Sequence, residues 1–393
     1  MDQQLSQRVS GSAGVEGGFG IYVHWPFCQA KCPYCDFNSH VVRTVDHARW
    51  ARAFTSEIQR YAAMVPGRRL GSVYFGGGTP SLMPPELVAS ILDDVRAAWA
   101  LEPDVEITLE ANPSSVEVRR FQGYVAAGVN RFSIGVQALN DRDLRRLGRL
   151  HSVAEAHKAV EVARNVCERV SFDLIYARQD QTADDWRAEL KDALRLAPDH
   201  LSLYQLTIED GTAFGARHQA GRLPGLPDAE LSADLFDITQ EICETHGLPA
   251  YETSNHARPG SEGRHNLVYW RYGEYLGIGP GAHGRLTVGL DRVSTRAESS
   301  PGRWLDLVES GQTEHEMRET IAAADQGDEY LMMGMRLREG VPLARYAALS
   351  GKSLPEATLH QLLGDGLVWV TGDRVGTTPR GGMVLNAVLR ELL

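Results

Sequence analysis

No uninterrupted apolar run in the 393 residues approaches the ~18 to 20 residues that a bilayer-spanning helix needs, which argues against an integral membrane protein. Basic charge is in deficit as well. The chain has 40 Lys and Arg against 51 Asp and Glu, and the formal net charge of −11 disfavours broad nucleic-acid binding, which draws its affinity from clustered cations. Cysteine is scarce: five in all, three of them packed between positions 28 and 35. That is a poor disulfide framework but suits a reducing cytoplasm and metal binding. Residues 1–18 are polar and rich in Gly, Ser and Gln, without the basic start and apolar stretch of a secretory signal, and read as an N-terminal arm. Internal repeats and low-complexity tracts are absent too. What is present, 43% apolar and 23% charged residues, is the composition of a globular protein large enough for a barrel-sized domain and a smaller one.

From 19 to 206 the chain alternates β-rich runs with helical patterns. Strands are expected near 21–24, 73–75, 105–109, 131–136, 171–175 and 201–206. Trp50, Phe54, Ile58 and Tyr61 recur at helical spacing behind Asp46, a plausible N-cap, and further helices are expected over 85–99, 115–127, 153–166 and 182–196. Six βα units predict an α/β fold, a partial (β/α)6 TIM-like barrel whose function sits at the C-terminal ends of the strands. Beyond a turn-rich 222–227, a helix through Cys243 and a Gly-rich 272–284 complete the barrel's extension. A boundary near 299–301 divides the chain into an arm (1–18), a barrel with extension (19–298) and a terminal domain (299–393). In the last, helices near 328–337 and 355–363, then strands over 367–370 and 374–377 flanking Gly372-Asp373, predict a winged-helix-like module.

Cys28, Cys32 and Cys35 form CxxxCxxC directly after the first strand. Three thiolates in one short loop can hold an iron–sulfur cube while its fourth iron stays open. Zinc is the lesser rival, since a Cys3His tetrahedron could recruit His24 or His40.

Tyr22-Val-His-Trp-Pro-Phe-Cys28, Tyr34 between the second and third cysteines, and Gly76-Gly77-Gly78-Thr79-Pro80 after the second strand together resemble the radical SAM superfamily over about 19–284. The resemblance implies a [4Fe–4S] cluster on Cys28, Cys32 and Cys35 whose open iron takes the amino and carboxylate groups of S-adenosylmethionine (SAM). A low-potential donor would supply the electron that cleaves SAM to a deoxyadenosyl radical. By the same resemblance Gly77, Gly78 and Thr79 bring backbone close to SAM, Tyr22 and Tyr34 lie beside it, and Glu110 in Leu109-Glu110-Ala111-Asn112-Pro113 binds its amino or ribose groups. Gln137 and Asp173, expected to end the fourth and fifth strands, and Arg149 in the loop between them would complete the pocket.

Within the superfamily, Leu203-Tyr204-Gln205-Leu206-Thr207-Ile208, Tyr251-Glu252-Thr253-Ser254-Asn255, Gly277-Ile-Gly-Pro-Gly-Ala-His283 and His265-Asn266-Leu-Val-Tyr269-Trp270 resemble the oxygen-independent coproporphyrinogen oxidase-like family and its heme-chaperone branch. The decarboxylating oxidases carry a further cysteine two residues past the third ligand, where this chain has Phe37. The resemblance therefore implies a cytoplasmic protein that binds heme and passes it to apoproteins, with His265 as candidate heme ligand. Oxidation of coproporphyrinogen is the alternative, a zinc-held structural protein a third reading, and homodimerisation is left open. After Asp173-Leu-Ile-Tyr176 the family commonly continues Gly-Leu-Pro, whereas this chain reads Ala177-Arg178-Gln179-Asp180. Met332, Met333 and Met335 read as core, Cys167 and Cys243 as buried within helices, and 141–149, apart from Arg149, as a solvated helix face.

Overall fold

The computed structural model describes residues 16–196 and 198–393, so the expected arm lies outside the described residues except for its last three. Six parallel strands follow one another across the sheet in chain order: β1 (Phe19–Trp25), β2 (Arg69–Gly77), β3 (Ala100–Ala111), β4 (Arg131–Gln137), β5 (Arg169–Tyr176) and β6 (His200–Gln205). Each expected strand is present. The helices between them are α1 (His47–Met64), α2 (Pro85–Ala98), α3 (Val118–Ala127), α4 (Asp141–Arg146), α5 (Val153–Arg164) and α6 (Ala183–Arg195), with α7 (Ala213–Gln219) and α8 (Ala229–Thr245) after β6. Asp46 does cap α1, accepting from the Arg49 amide at 3.0 Å, and Trp50, Phe54, Ile58 and Tyr61 are the face it buries. Helix α3 starts three residues later than expected because Pro113–Ser115 form a 3₁₀ turn.

Period-two patterning explains the two surfaces of the sheet. Val23, Phe75, Leu109, Phe132 and Val170 lie side by side across β1 to β5 and join the main core under the helices. The alternate residues turn inward and are polar or aromatic: Tyr22 and His24, Ser72 and Tyr74, Glu106 and Glu110, Arg131 and Ser133, Asp173, Ser202 and Tyr204. Branched aliphatic layers usually fill such a barrel; this interior is lined for polar contact.

The sheet continues past both edges of the six. β7 (Asn255–Ala257) pairs antiparallel with β6. After α9 (Arg264–Trp270), β8 (Glu274–Ile278) adds parallel to β1, and β9 (His283–Val288), β10 (Asp291–Ala297) and β11 (Glu316–Thr320) extend that edge. The boundary expected at 299–301 thus falls inside the first unit. Trp304 of α10 (Pro301–Glu309) stacks on Trp50 at 5.5 Å, and Glu316 pairs with Arg60 at 2.9 Å, so both elements pack on α1. A separate core begins with α11 (Ala323–Gly334), where Tyr330, Leu331, Met335, Tyr346, Val375 and Leu389 meet over a three-stranded sheet, the winged-helix-like unit. Met335 is core as expected and Met333 packs against it, but Met332 is exposed. Cys243 is buried in α8, whereas Cys167 is buried just after α5 rather than within a helix. Among the described residues no helix is long and apolar enough to cross a membrane.

Candidate cofactor-binding site

The loop leaving β1 carries the three cysteines across the barrel mouth. All three are free thiols and half-buried. Its start is clamped by the glycine-rich end of β2: the Gly78 amide donates to Trp25 O at 2.7 Å and the Thr79 amide to Phe27 O at 2.9 Å. A Cβ on Gly78 would lie 2.7 Å from Phe27 O and 3.0 Å from Cys28 Sγ, so glycine is required for the chain's own close approach. These two amides hold the thiol loop. They do not point free at a ligand, which corrects the expectation for Gly78 and Thr79. Thr79 contributes through its hydroxyl, which donates to Cys28 Sγ at 3.4 Å.

Asn38 fixes the far end. Its amide donates to Pro280 O and Ser299 O, both at 2.9 Å, and its backbone carbonyl accepts from His24 Nε2 at 2.9 Å. With Nε2 donating, His24 Nδ1 accepts from the Tyr22 hydroxyl at 3.1 Å, and burial pushes the imidazole pKa down, keeping it neutral. His40 Nε2 pairs with Asn38 Oδ1 at 3.0 Å. Both histidines that zinc could have recruited are engaged with Asn38, and among the described residues no three His, Cys, Asp or Glu side chains converge to hold a single metal ion. No sequence signal pointed to Asn38.

The third support is Arg149, whose guanidinium donates to Cys32 Sγ at 3.5 Å and Gly135 O at 2.9 Å. Beside it Gln137 ends β4 at a register shift, with φ at 70°, in the left-handed region. Tyr34 packs against Phe214 of α7, ring centroids 6.4 Å apart, in a small core with Leu144 and Leu147.

Below the mouth, Glu110 accepts from the Tyr74 hydroxyl at 2.8 Å, and burial, with Asp173 nearby, pushes its carboxyl up to about 7. Asp173 does not end β5: it lies three residues before Tyr176, inside the barrel, where Ser133 donates to it at 3.2 Å and burial raises it to about 6. Tyr22 likewise belongs to the interior, its ring 6.2 Å from Tyr74. Two carboxylates under a mouth of thiols suit a ligand that carries an ammonium. Because the folded pKa of Glu110 exceeds the unfolded one, the native state binds the extra proton between about pH 4.5 and pH 7, and that contribution to stability is lost as pH rises through about 7. Glu110→Gln removes this loss. Thermal melts should therefore show the variant gaining on the wild type from pH 5 to pH 8; parallel curves would place the titration elsewhere.

His265 is not at the mouth. Helix α9 plugs the floor of the barrel, where His265 is 1% exposed, its Nδ1 paired with Ser72 Oγ at 2.9 Å and its Nε2 with the Tyr269 hydroxyl at 2.7 Å. Burial pushes its pKa down to about 3. The Glu106 carboxylate receives the His265 amide at 3.2 Å and pairs with Arg131 at 3.0 Å and Arg169 at 2.8 Å. Burial opposes the charge on Glu106, but the two guanidiniums hold its carboxyl below the usual range. In this conformation both ring nitrogens are engaged and the imidazole is closed off from the surface, unlike the open position in which a heme ligand is expected.

The run 141–149 also differs from a solvated face. Asp143 is buried against Arg178, which comes from the segment where the chain departs from Gly-Leu-Pro.

A parallel six-stranded partial barrel with three thiols across its mouth is the architecture of a radical SAM protein. Residues 22–193 match the Radical SAM superfamily and residues 321–384 the HemN C-terminal domain. Heme chaperone HemW of Escherichia coli (strain K12) is 37% identical over 383 residues, covering 95% of this chain and 97% of that protein. The protein of the same name from Mycobacterium tuberculosis (strain H37Rv) is 37% identical over 400 residues, covering 100% and 99%. Radical S-adenosyl methionine domain-containing protein 1, mitochondrial, of Danio rerio is 38% identical over 349 residues, covering 88% and 78%. Among solved structures, coproporphyrinogen III oxidase (HemN) from Escherichia coli aligns with a TM-score of 0.80 at 21% identity, covering 95% of this chain and 89% of that one, a likeness of fold. This chain belongs to the HemW family of the Radical SAM superfamily.

Proposed function

We propose that this protein is a cytoplasmic heme chaperone that carries a [4Fe–4S] cluster with SAM and passes heme to apoproteins. One observation carries the reading: the likeness to proteins named heme chaperone extends over 95% of the chain, through the thiol loop and the C-terminal unit together. Cys28, Cys32 and Cys35 would hold the cluster. The donor chemistry fits, since three thiols share one loop and the nearby histidines are engaged elsewhere. Bound, the cluster supplies an open Lewis-acidic iron and a low-potential electron, received from a reduced donor protein.

The chain's own residues supply position. Arg149 and Thr79 hold Cys32 and Cys28 by their sulfurs. Glu110 and Asp173 offer carboxylates to the SAM ammonium; Gln137 and Tyr34 border the adenosine side; Gly77, Gly78 and Tyr22 set the walls that place them. Phe37, 58% exposed, stands where the oxidases have their extra cysteine, which favours the chaperone over the oxidase.

Anaerobic heme titration of the cluster-loaded protein tests this. A saturable Soret shift, transfer to an apoprotein and no decarboxylation of coproporphyrinogen are expected; a decarboxylated product formed with SAM consumption would move the chain to the oxidase class. His265→Ala should give the wild-type heme spectrum, because the imidazole is closed into the barrel floor. A changed Soret band in that variant would restore His265 as ligand and require α9 to leave the floor.

A further inference from the structure

From the ion pairs behind the thiol loop we infer that Arg178, with Asp143 and Glu189, is a positioning residue for the cluster site; the inference rests on the function proposed above. Arg178 is 3% exposed and comes from the Ala177-Arg178-Gln179-Asp180 segment, in which both Ala177 (φ 59°) and Asp180 (φ 57°) take left-handed backbone. A buried guanidinium needs its donors answered. Arg178 donates to Asp143 Oδ2 of α4 at 3.1 Å, to Glu189 of α6 and to Ile175 O at 2.5 Å. Glu189 in turn accepts from the Leu139 amide at 2.7 Å, just beyond the end of β4. One side chain therefore ties the end of β5 to the end of β4, α4 and α6.

What α4 carries explains the consequence. The Asp143 carbonyl accepts from the Leu147 amide at 2.8 Å, and the Leu144 carbonyl from the Arg149 amide at 2.9 Å, so α4 runs straight into the turn that presents Arg149 to Cys32. Gly148 in that turn lies so close to Pro33 that a Cβ would come within 2.6 Å of its Cδ. Phe214, which shares a small core with Leu144 and Leu147, donates its amide to Pro33 O at 2.8 Å. Residues 32–34 thus rest on a platform of α4 and α7. A small crevice lined by Asp143, Leu147, Arg178 and Phe214 borders the network. The ion pairs of Arg178 and the small core around Leu144, Leu147 and Phe214 together hold the helix.

Displacing α4 moves the guanidinium at Cys32 while leaving all three thiols in the sequence. Support behind the ligands of a metal site typically governs retention by roughly 10-fold or more. The test uses the full chain reconstituted anaerobically with iron and sulfide, in wild type, Arg178→Lys and Asp143→Asn, with Glu106→Gln at the barrel floor as a control for general destabilisation. Two signals are read: the rate of iron loss to a chelator, and the change that SAM produces in the electron paramagnetic resonance spectrum of the reduced cluster. Arg178→Lys and Asp143→Asn should each lose iron roughly 10-fold faster and show an altered SAM-dependent spectrum, with Glu106→Gln unchanged in both. Should Arg178→Lys not fold, Asp143→Asn, which spares the bonds to Glu189 and Ile175, decides alone. Wild-type rates in these variants, or equal acceleration in Glu106→Gln, overturn the inference. Failure of the wild type to take up a cluster overturns the function proposed above instead.

Discussion

Serine in place of Cys32 is expected to abolish cluster assembly: after anaerobic reconstitution the wild type should hold about four irons and the variant close to none. The physical ground is the small number of donors. Three thiols share the loop, His24 and His40 are committed to Asn38, and a neutral hydroxyl is a far weaker ligand than a thiolate for iron–sulfur centres. The same change should barely touch the apoprotein. Cys32 is half-buried, and besides the long contact from Arg149 to its sulfur the loop is held by the Pro33 carbonyl, Asn38 and the Gly78 amide, none of which the change touches. Iron content with a thermal melt separates the two effects; a folded variant retaining a full cube would remove Cys32 from the ligand set.

Arg131→Leu should be the most destabilising single change at the barrel floor, costing about 3 to 5 kcal/mol, because it strands a buried carboxylate. Glu106 is 1% exposed and pairs with two guanidiniums, but only that of Arg131 is itself buried; Arg169 is partly in water. Arg169→Leu should therefore cost less. The ordering of the two urea midpoints checks this, and equal midpoints would show that Arg169 alone can compensate the charge. Since Glu106 also receives the His265 amide, Arg131→Leu should loosen α9 as well, visible as faster hydrogen exchange at 264–270.

Much of this was legible in the chain because local patterns and the final contacts coincide. Trp50, Phe54, Ile58 and Tyr61 predict a buried helical face and form one; the strands of the barrel show as short apolar, aromatic or β-branched runs between turns and helical patterns. The thiol triplet is legible because its ligands are close in sequence. What could not be read depends on long-range pairing. Nothing local distinguishes Asn38, which joins residues some 240 positions apart, or shows that Asp143 faces an arginine from β5's end instead of water. The boundary at 299 was misplaced because a helix packs where its apolar stripe finds a partner: Trp304 found Trp50, not the terminal core. His265 illustrates the limit of a motif. Spacing identifies the residue, but its floor position follows from α9 closing a barrel whose strands come from elsewhere in the chain.

Mössbauer spectroscopy of the ⁵⁷Fe-reconstituted protein, with and without SAM, tests the central claim most directly. The account predicts a [4Fe–4S] spectrum in which one iron site of the four changes on adding SAM while the other three, on Cys28, Cys32 and Cys35, do not. A protein without a cubane, or a cubane whose four irons are all insensitive to SAM because each has a protein ligand, would contradict it.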